Sequence, residues 1–354
     1  MKTLSSLQRC LKVLNGEMPD RVPVIPQSFM FAVETAGFKI GEVNRSGKLM
    51  AEAHRISVEK YGYDGCVIDF DDASLAEACG AKVIYRDDEP AVIDESRPLL
   101  SDLRDIDKLK LPDPYKDGRL PEWLEATARL RGSVGDDVLI MGRADQGPFS
   151  LAGLLRGMEQ FMMDILTEDQ ALIERVLDYT RRACLVFAKA QKDAGAHITS
   201  IGDALAGPSL IAPETYRRLA WHPEKQLTKD VRAYGIPFSI HICGDTTDII
   251  EDMGKTGADV LELDWKVDMG RARKILPPST VIMGNIDPSD PLVLGTPKQV
   301  DANAEKIIKQ TAGKGLILSS GCAMGRNTPE ENMRALVEAP KKHGTYEQLV
   351  AMEI

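Results

Sequence analysis

The chain has 354 residues, 43% of them hydrophobic, with 44 basic and 54 acidic side chains and a formal net charge of −10. That length allows one large domain or two to three ordinary ones with a sizeable core. The acidic balance excludes a general nucleic-acid binder, which would present a net positive face, and no run approaches the ~20 apolar residues of a membrane-spanning helix.

In chain order, residues 1–20 predict a helical lead-in. Arg9 and Lys12 fall inside what would have to be the apolar stretch of a signal peptide, so the expectation is a cytoplasmic protein. Val22 to Ile25 is a short apolar run broken by Pro23 and Pro26. Lys48–Tyr61 has helical spacing and stops at Gly62, and 65–69 then reads as a buried strand with an acidic end. Residues 73–120 read as an irregular insertion, where Pro112 and Pro114 forbid a regular helix.

A regular rhythm follows. Strand-like runs at 138–144, 197–203, 237–244, 259–265, 280–287 and 315–322 alternate with helical segments at 151–166, 168–194, 213–233, 246–255, 268–275 and 297–311. A last helix begins near Pro329, after Thr328, with acids in its first turn. With 22–25 and 65–69 this makes eight strand candidates. They are apolar enough to be covered on both sides, and eight units match an α/β fold of the (β/α)8 TIM barrel type built as a single domain over 1–354. A doubly wound open sheet is the runner-up, but no Gly-x-Gly-x-x-Gly or Walker loop follows any strand.

In such a barrel the functional face lies at the strand ends. Polar residues gather there: Asp69, Asp71 and Asp72, Arg143 and Asp145, Asp203, His241 and Cys243, Glu262 and Asp264, Asn285 and Asp287, and Cys322. The sharpest feature is His241-Ile242-Cys243, because residues two apart on a strand point the same way. Cys322, after the last strand, lies across the same mouth. An imidazole and two thiolates suit Zn²⁺ with an open fourth position for water, substrate, or a carboxylate such as Asp203 or Glu262. The alternatives are a core histidine with two buried cysteines, or a Cys–His nucleophile, for which no third residue orients the imidazole. Asp71, in its acidic cluster, can supply an acid or base. Arg143 can bind a carboxylate or neutralise those acids. Phe29, Met30, Phe31 and Phe149 offer apolar walls, and Asn285 stands with them as a substrate-binding candidate. The other cysteines, Cys10, Cys66, Cys79 and Cys184, read as packing.

DRVPVIP at 20–26, GPFSLAGLLRGME at 147–159, IAPETYRRLAWHPEKQL at 211–227, HICGD at 241–245, GNIDP at 284–288 and GLILSSGCAMGRNTPEENMRAL at 315–336 together resemble the uroporphyrinogen decarboxylase-like superfamily. HICG and the last block resemble its zinc-dependent, corrinoid-linked methyltransferase branch. The resemblance implies zinc ligands at His241, Cys243 and Cys322, and a methyl group moved between a corrinoid and a small substrate. That substrate is a methoxyaryl or other methyl donor, as in O-demethylation, or a thiol such as coenzyme M. The chain has no D-x-H-x-x-G motif, so a separate corrinoid protein is the expected partner. A homodimer is compatible with this reading. Asp203 and Glu262 are the candidate mouth acids. The competing class is a metal-free carboxy-lyase of the uroporphyrinogen decarboxylase type, with Asp71 handling the proton. Against it, only Arg21 falls between residues 21 and 44, whereas that branch grips its substrate through an arginine-rich N-terminal segment.

Overall fold

The computed structural model describes residues 4–134 and 137–352. Its strands are β1 (Gly65–Ile68), β2 (Val83–Ile84), β3 (Val92–Ile93), β4 (Leu139–Gln146), β5 (Ile198–Gly202), β6 (Phe238–Ile242), β7 (Val260–Leu263), β8 (Val281–Ile286) and β9 (Leu316–Ser320). Seven of them form one parallel sheet in the order β1-β4-β5-β6-β7-β8-β9, with helices between successive strands. The eighth stave is the proline-flanked segment 22–25. Val24 bridges Leu318 in parallel, the Ile25 N–H donates to Leu318 at 3.0 Å, and the Asp64 N–H donates to Val24 at 2.7 Å. Pro23 and Pro26 have no N–H to give, so this stave makes isolated bridges where the sequence suggested a strand. The fold is a (β/α)8 barrel.

Alternation along each strand sorts the residues. Val67, Leu139, Met141, Ile198, Val260, Val281, Met283 and Ile317 form one apolar cluster inside the barrel. A larger cluster, with Ile140, Ile201, Ile240, Leu261, Ile282 and Leu318 among its members, packs the strands against the helices. The register pairs Arg143 with Ser200, Ser239 with Val260 and His241 with Glu262. One step towards the strand ends, the interior therefore turns from apolar to polar.

The N-terminal helix (Ser6–Leu14), capped by Ser5 and Gln8, stoppers the opposite end. Its Leu7, Cys10 and Val13 join the interior cluster. Below it, Asp64 holds Arg9 at 2.7 Å and Arg21 at 2.8 Å.

The predicted helices at 48–61, 268–275 and 297–311 are found within a residue of those limits. The segment 246–255 is helical only over Ile250–Gly254. The segment 213–233 passes through a π-helical turn at Tyr216–Ala220, just before Pro223, whose nitrogen cannot continue an ordinary ladder. Between residues 73 and 120 lie a helix (Ser74–Ala78), the β2–β3 hairpin and a 3₁₀ helix (Leu103–Lys108). Helices not foreseen are Phe29–Ala36, the short Ile40–Val43 and Leu120–Val134, besides Ser74–Ala78 in the insertion. Among the described residues, no helix is long and apolar enough to cross a membrane.

Candidate metal centre

A cavity of about 500 Å³ opens at the ends of β1, β4, β5, β6 and β9. His241 and Cys243 enter it from β6 and the residue after it, and Cys322 from the turn after β9. The His241 Nε2 lies 3.2 Å from the Cys243 Sγ, and the two sulfurs are 3.9 Å apart. All three donor atoms lie within 4.8 Å of one another. The His241 Nδ1 lies 3.0 Å from the Glu262 carbonyl oxygen. With a proton on Nδ1 it donates there and leaves Nε2 free to ligate, the usual outer-shell arrangement of a metal histidine.

The electrostatics suit a cation. Burial pulls the His241 imidazole down, yet hydrogen bonding and charge from Cys322 outweigh it and raise it. Hydrogen bonds from Cys243 and His241 hold Cys322 below the ordinary thiol range despite burial. The three side chains share protons around the point that a dication would occupy. Tetrahedral zinc with Zn–S bonds of about 2.3 Å places two sulfurs roughly 3.8 Å apart, so the donor set fits Zn²⁺.

Beneath this trio lies a buried ion-pair layer. Arg143 donates to both Glu262 oxygens, at 3.3 and 2.8 Å, and its Nε lies 3.4 Å from Asp69. Ser239 donates to Glu262 at 2.8 Å. Glu262 is 0% exposed and does not reach the cavity with its carboxylate; its role at the centre is through its main-chain carbonyl. Arg143 does line the cavity, with its charge already engaged.

The remaining candidates separate into two groups. Phe29 and Met30 line the cavity, as do Asp69, Asp71 and Asp72. Asp71 is gripped by both terminal nitrogens of Arg119, at 2.6 and 3.1 Å, and accepts from the Ala73 N–H at 3.0 Å. Burial raises its carboxyl and Arg119 opposes that.

Asp203, Phe149 and Asn285 lie outside the cavity lining. Asp203 follows Gly202 and so has the outward parity. It accepts from the N–H groups of Ser150 (2.7 Å) and Phe149 (3.3 Å), capping the helix Pro148–Arg156. A Cβ on Gly147 would come within 2.5 Å of that carboxyl, so glycine is required there. Phe149 is 0% exposed and packs edge-on against Phe161 at 5.3 Å. Asn285 donates to the Asp264 and Val267 carbonyls and ties down the loop after β7.

Several cavity residues escaped the sequence reading: Gln27, Phe70, Pro90, Ile93, Glu95 and Gln146. Gln146 donates to Asp72 at 2.7 Å. Pro90, Ile93 and Glu95 come from the hairpin region of the insertion, whose sequence has no periodicity to mark a wall.

The family profile described as uroporphyrinogen decarboxylase (URO-D) matches residues 5–343. The chain is 29% identical over 341 residues to the methylcobamide:CoM methyltransferase MtbA of Methanosarcina mazei, covering 95% of this chain and 97% of that one. It is 29% identical over 302 residues to a uroporphyrinogen decarboxylase of Myxococcus xanthus, covering 84% and 83%. A solved methyltransferase from Methanosarcina mazei superposes with a TM-score of 0.87 at 26% identity, over 96% of this chain and 99% of that one. On a match that spans nearly its whole length, the chain belongs to the uroporphyrinogen decarboxylase family.

Proposed function

We propose that this protein is a zinc-dependent methyltransferase that moves a methyl group between a corrinoid carried by a separate protein and the heteroatom of a small substrate, a thiol or a methyl ether. The observation that carries this reading is the convergence of His241, Cys243 and Cys322 within 4.8 Å at the cavity. Similarity to a methylcobamide:CoM methyltransferase over almost the whole chain supports it.

Zinc held by these residues supplies a Lewis acid that keeps a substrate thiol ionised near neutral pH, or polarises an ether oxygen. The chain's own residues do the rest. The Glu262 carbonyl fixes the His241 ring and its tautomer. The Arg143–Glu262 pair and Ser239 hold β4, β6 and β7 in the register that aims the donors. Phe29, Met30, Val92, Ile93 and Leu154 form the apolar wall that excludes water and leaves the reacting atoms weakly solvated.

Two observations weigh against the metal-free carboxy-lyase. Arg21 is locked to Asp64 at the closed end of the barrel and cannot meet a substrate carboxylate. Asp71 is held by Arg119. The test is metal analysis and methyl transfer on freshly purified protein. About one zinc per chain is expected, lost in Cys322→Ser with the circular dichroism unchanged, together with methyl exchange between methylcobalamin and thiols or phenyl methyl ethers. Metal-free protein that consumes uroporphyrinogen overturns the reading.

A further inference from the structure

The histidine and the two cysteines of the centre are held in different ways. His241 lies within β6 and pairs with Gly202 on one side and Glu262 on the other. The paired register ends at Ile242 on β6 and at Ser320 on β9, so Cys243 and Cys322 stand one and two residues beyond the ladders. The sheet alone does not fix their sulfurs. A metal centre tolerates deviations of only about 0.2 Å in its ligand distances, so the two turns need a support of their own.

Both turns lean on one short loop, residues 264–267 after β7. The N–H of Gly244, the residue after Cys243, donates to the Asp264 Oδ2 at 3.0 Å. The other carboxylate oxygen accepts from the Lys266 N–H at 3.0 Å, and the Val267 N–H closes the loop on the Asp264 carbonyl at 3.0 Å. Gly321, the residue before Cys322, touches the same loop by close packing: a Cβ there would meet the Trp265 nitrogen at 2.4 Å. The Gly321 N–H donates to the Ile286 carbonyl at 2.7 Å, which keeps it seated. Asn285, in register with Ser319 on the next strand, braces the loop from β8. Its amide donates to the Asp264 carbonyl at 2.9 Å and to the Val267 carbonyl at 2.7 Å. Asp264 and Asn285 are both buried, so water does not compete for these bonds. The contacts run from β8 through Asn285 to the loop, and from the loop to the turn of each thiol.

We propose that Asp264 and Asn285 are positioning residues of the metal centre, which act through the 264–267 loop to hold the Cys243 and Cys322 turns at the separation a dication requires. The inference rests on the metal-centred reading of the site and extends it to residues that touch neither the metal donors nor the cavity. Outer-shell groups of this kind are worth about 10–100-fold in metal affinity.

The test is Asn285→Ala, which changes no charge and removes no contact made by the cysteines themselves. Zinc affinity of the full chain, read by competition with a chromophoric chelator, should fall about tenfold or more. The visible spectrum of the Co²⁺-substituted protein, which reports the geometry of the donors, should shift with it. Asp203→Ala is the control for a general loss of stability. It also removes a buried side chain bonded to two main-chain groups, here those of Phe149 and Ser150, and its zinc affinity should stay near that of the parent. Gly321→Ala presses a methyl group against the Trp265 nitrogen and should give the same two changes as Asn285→Ala. It covers the case in which Asn285→Ala fails to fold. An unchanged affinity and spectrum in either folded variant, or a loss no greater than that of Asp203→Ala, overturns the inference and leaves the metal-centred reading standing, since the parent still takes up metal. If the parent binds neither zinc nor cobalt, both fall.

Discussion

Asp145 sits at the end of β4 with φ +62°, where the β4–β5 register shifts, and its side chain accepts from Ser74 and from the Leu75 N–H. Burial pushes its carboxyl up to about 7, against about 3.9 in an unfolded chain. The folded form therefore binds the extra proton. The stabilisation is complete below the unfolded value and is lost as pH rises towards 7. Asp145→Asn keeps the accepting oxygen and removes the titration. Relative to the parent, its stability should rise by a few kcal/mol between pH 4 and pH 8, at about 1.4 kcal/mol per unit of pKa difference. Urea unfolding at the two pH values reads this directly, and a pH-independent difference would refute it. Glu262→Gln tests a second residue. It keeps one accepting oxygen but leaves the buried Arg143 with only the longer Asp69 contact as an ion pair, so stability should fall by about 3 kcal/mol. The main-chain carbonyl that orients His241 survives, and zinc content should stay near one per chain.

Among the elements, the helix Pro148–Arg156 owes its start to Asp203 rather than to a residue of its own. Asp203→Ala leaves two buried N–H groups uncapped and should lower the urea midpoint by the equivalent of about 2 kcal/mol, with zinc content retained. Loss of the metal instead would restore Asp203 as a candidate ligand. This residue also shows what was legible in the sequence. The seven strands stood out because each is a short apolar run between turn residues. His241 and Cys243 stood out because they share parity on β6. The same rule places Asp203 outside, one step past Gly202, yet a plain count of polar residues at strand ends admits it. Phe149 is similar: nothing local distinguishes a core aromatic in the first turn of a helix from one facing a cavity. Arg119 and Glu95 gave no signal, because their partners Asp71 and the cavity are distant in sequence and the insertion between them lacks a repeating pattern. The helix Leu120–Val134 begins where Pro-rich chain ends, and those prolines drew the irregular reading across its first residue.

At the scale of the whole molecule, the barrel is divided by height: a helical stopper, an apolar layer, a layer of ion pairs, and donor atoms at the open end. Most neighbouring staves are stitched by ladders of three to five registered residue pairs. The join at 22–25 relies on a few bonds around Val24 and Leu318. Hydrogen exchange should therefore find the Leu318 and Asp64 amides less protected than the Ile240 and Ile282 amides within the sheet, by about tenfold or more if local opening starts there; equal protection would refute a weak join. The same join orders events during synthesis. Residues 22–25 leave the ribosome almost 300 positions before their partner at Leu318, so although one side of this stave can meet Asp64 early, its other side must wait until the last stave emerges. Pro23 and Pro26, which offer no N–H, also make it a poorer template for other chains in that interval, and the ring can be completed only after β9 has been made.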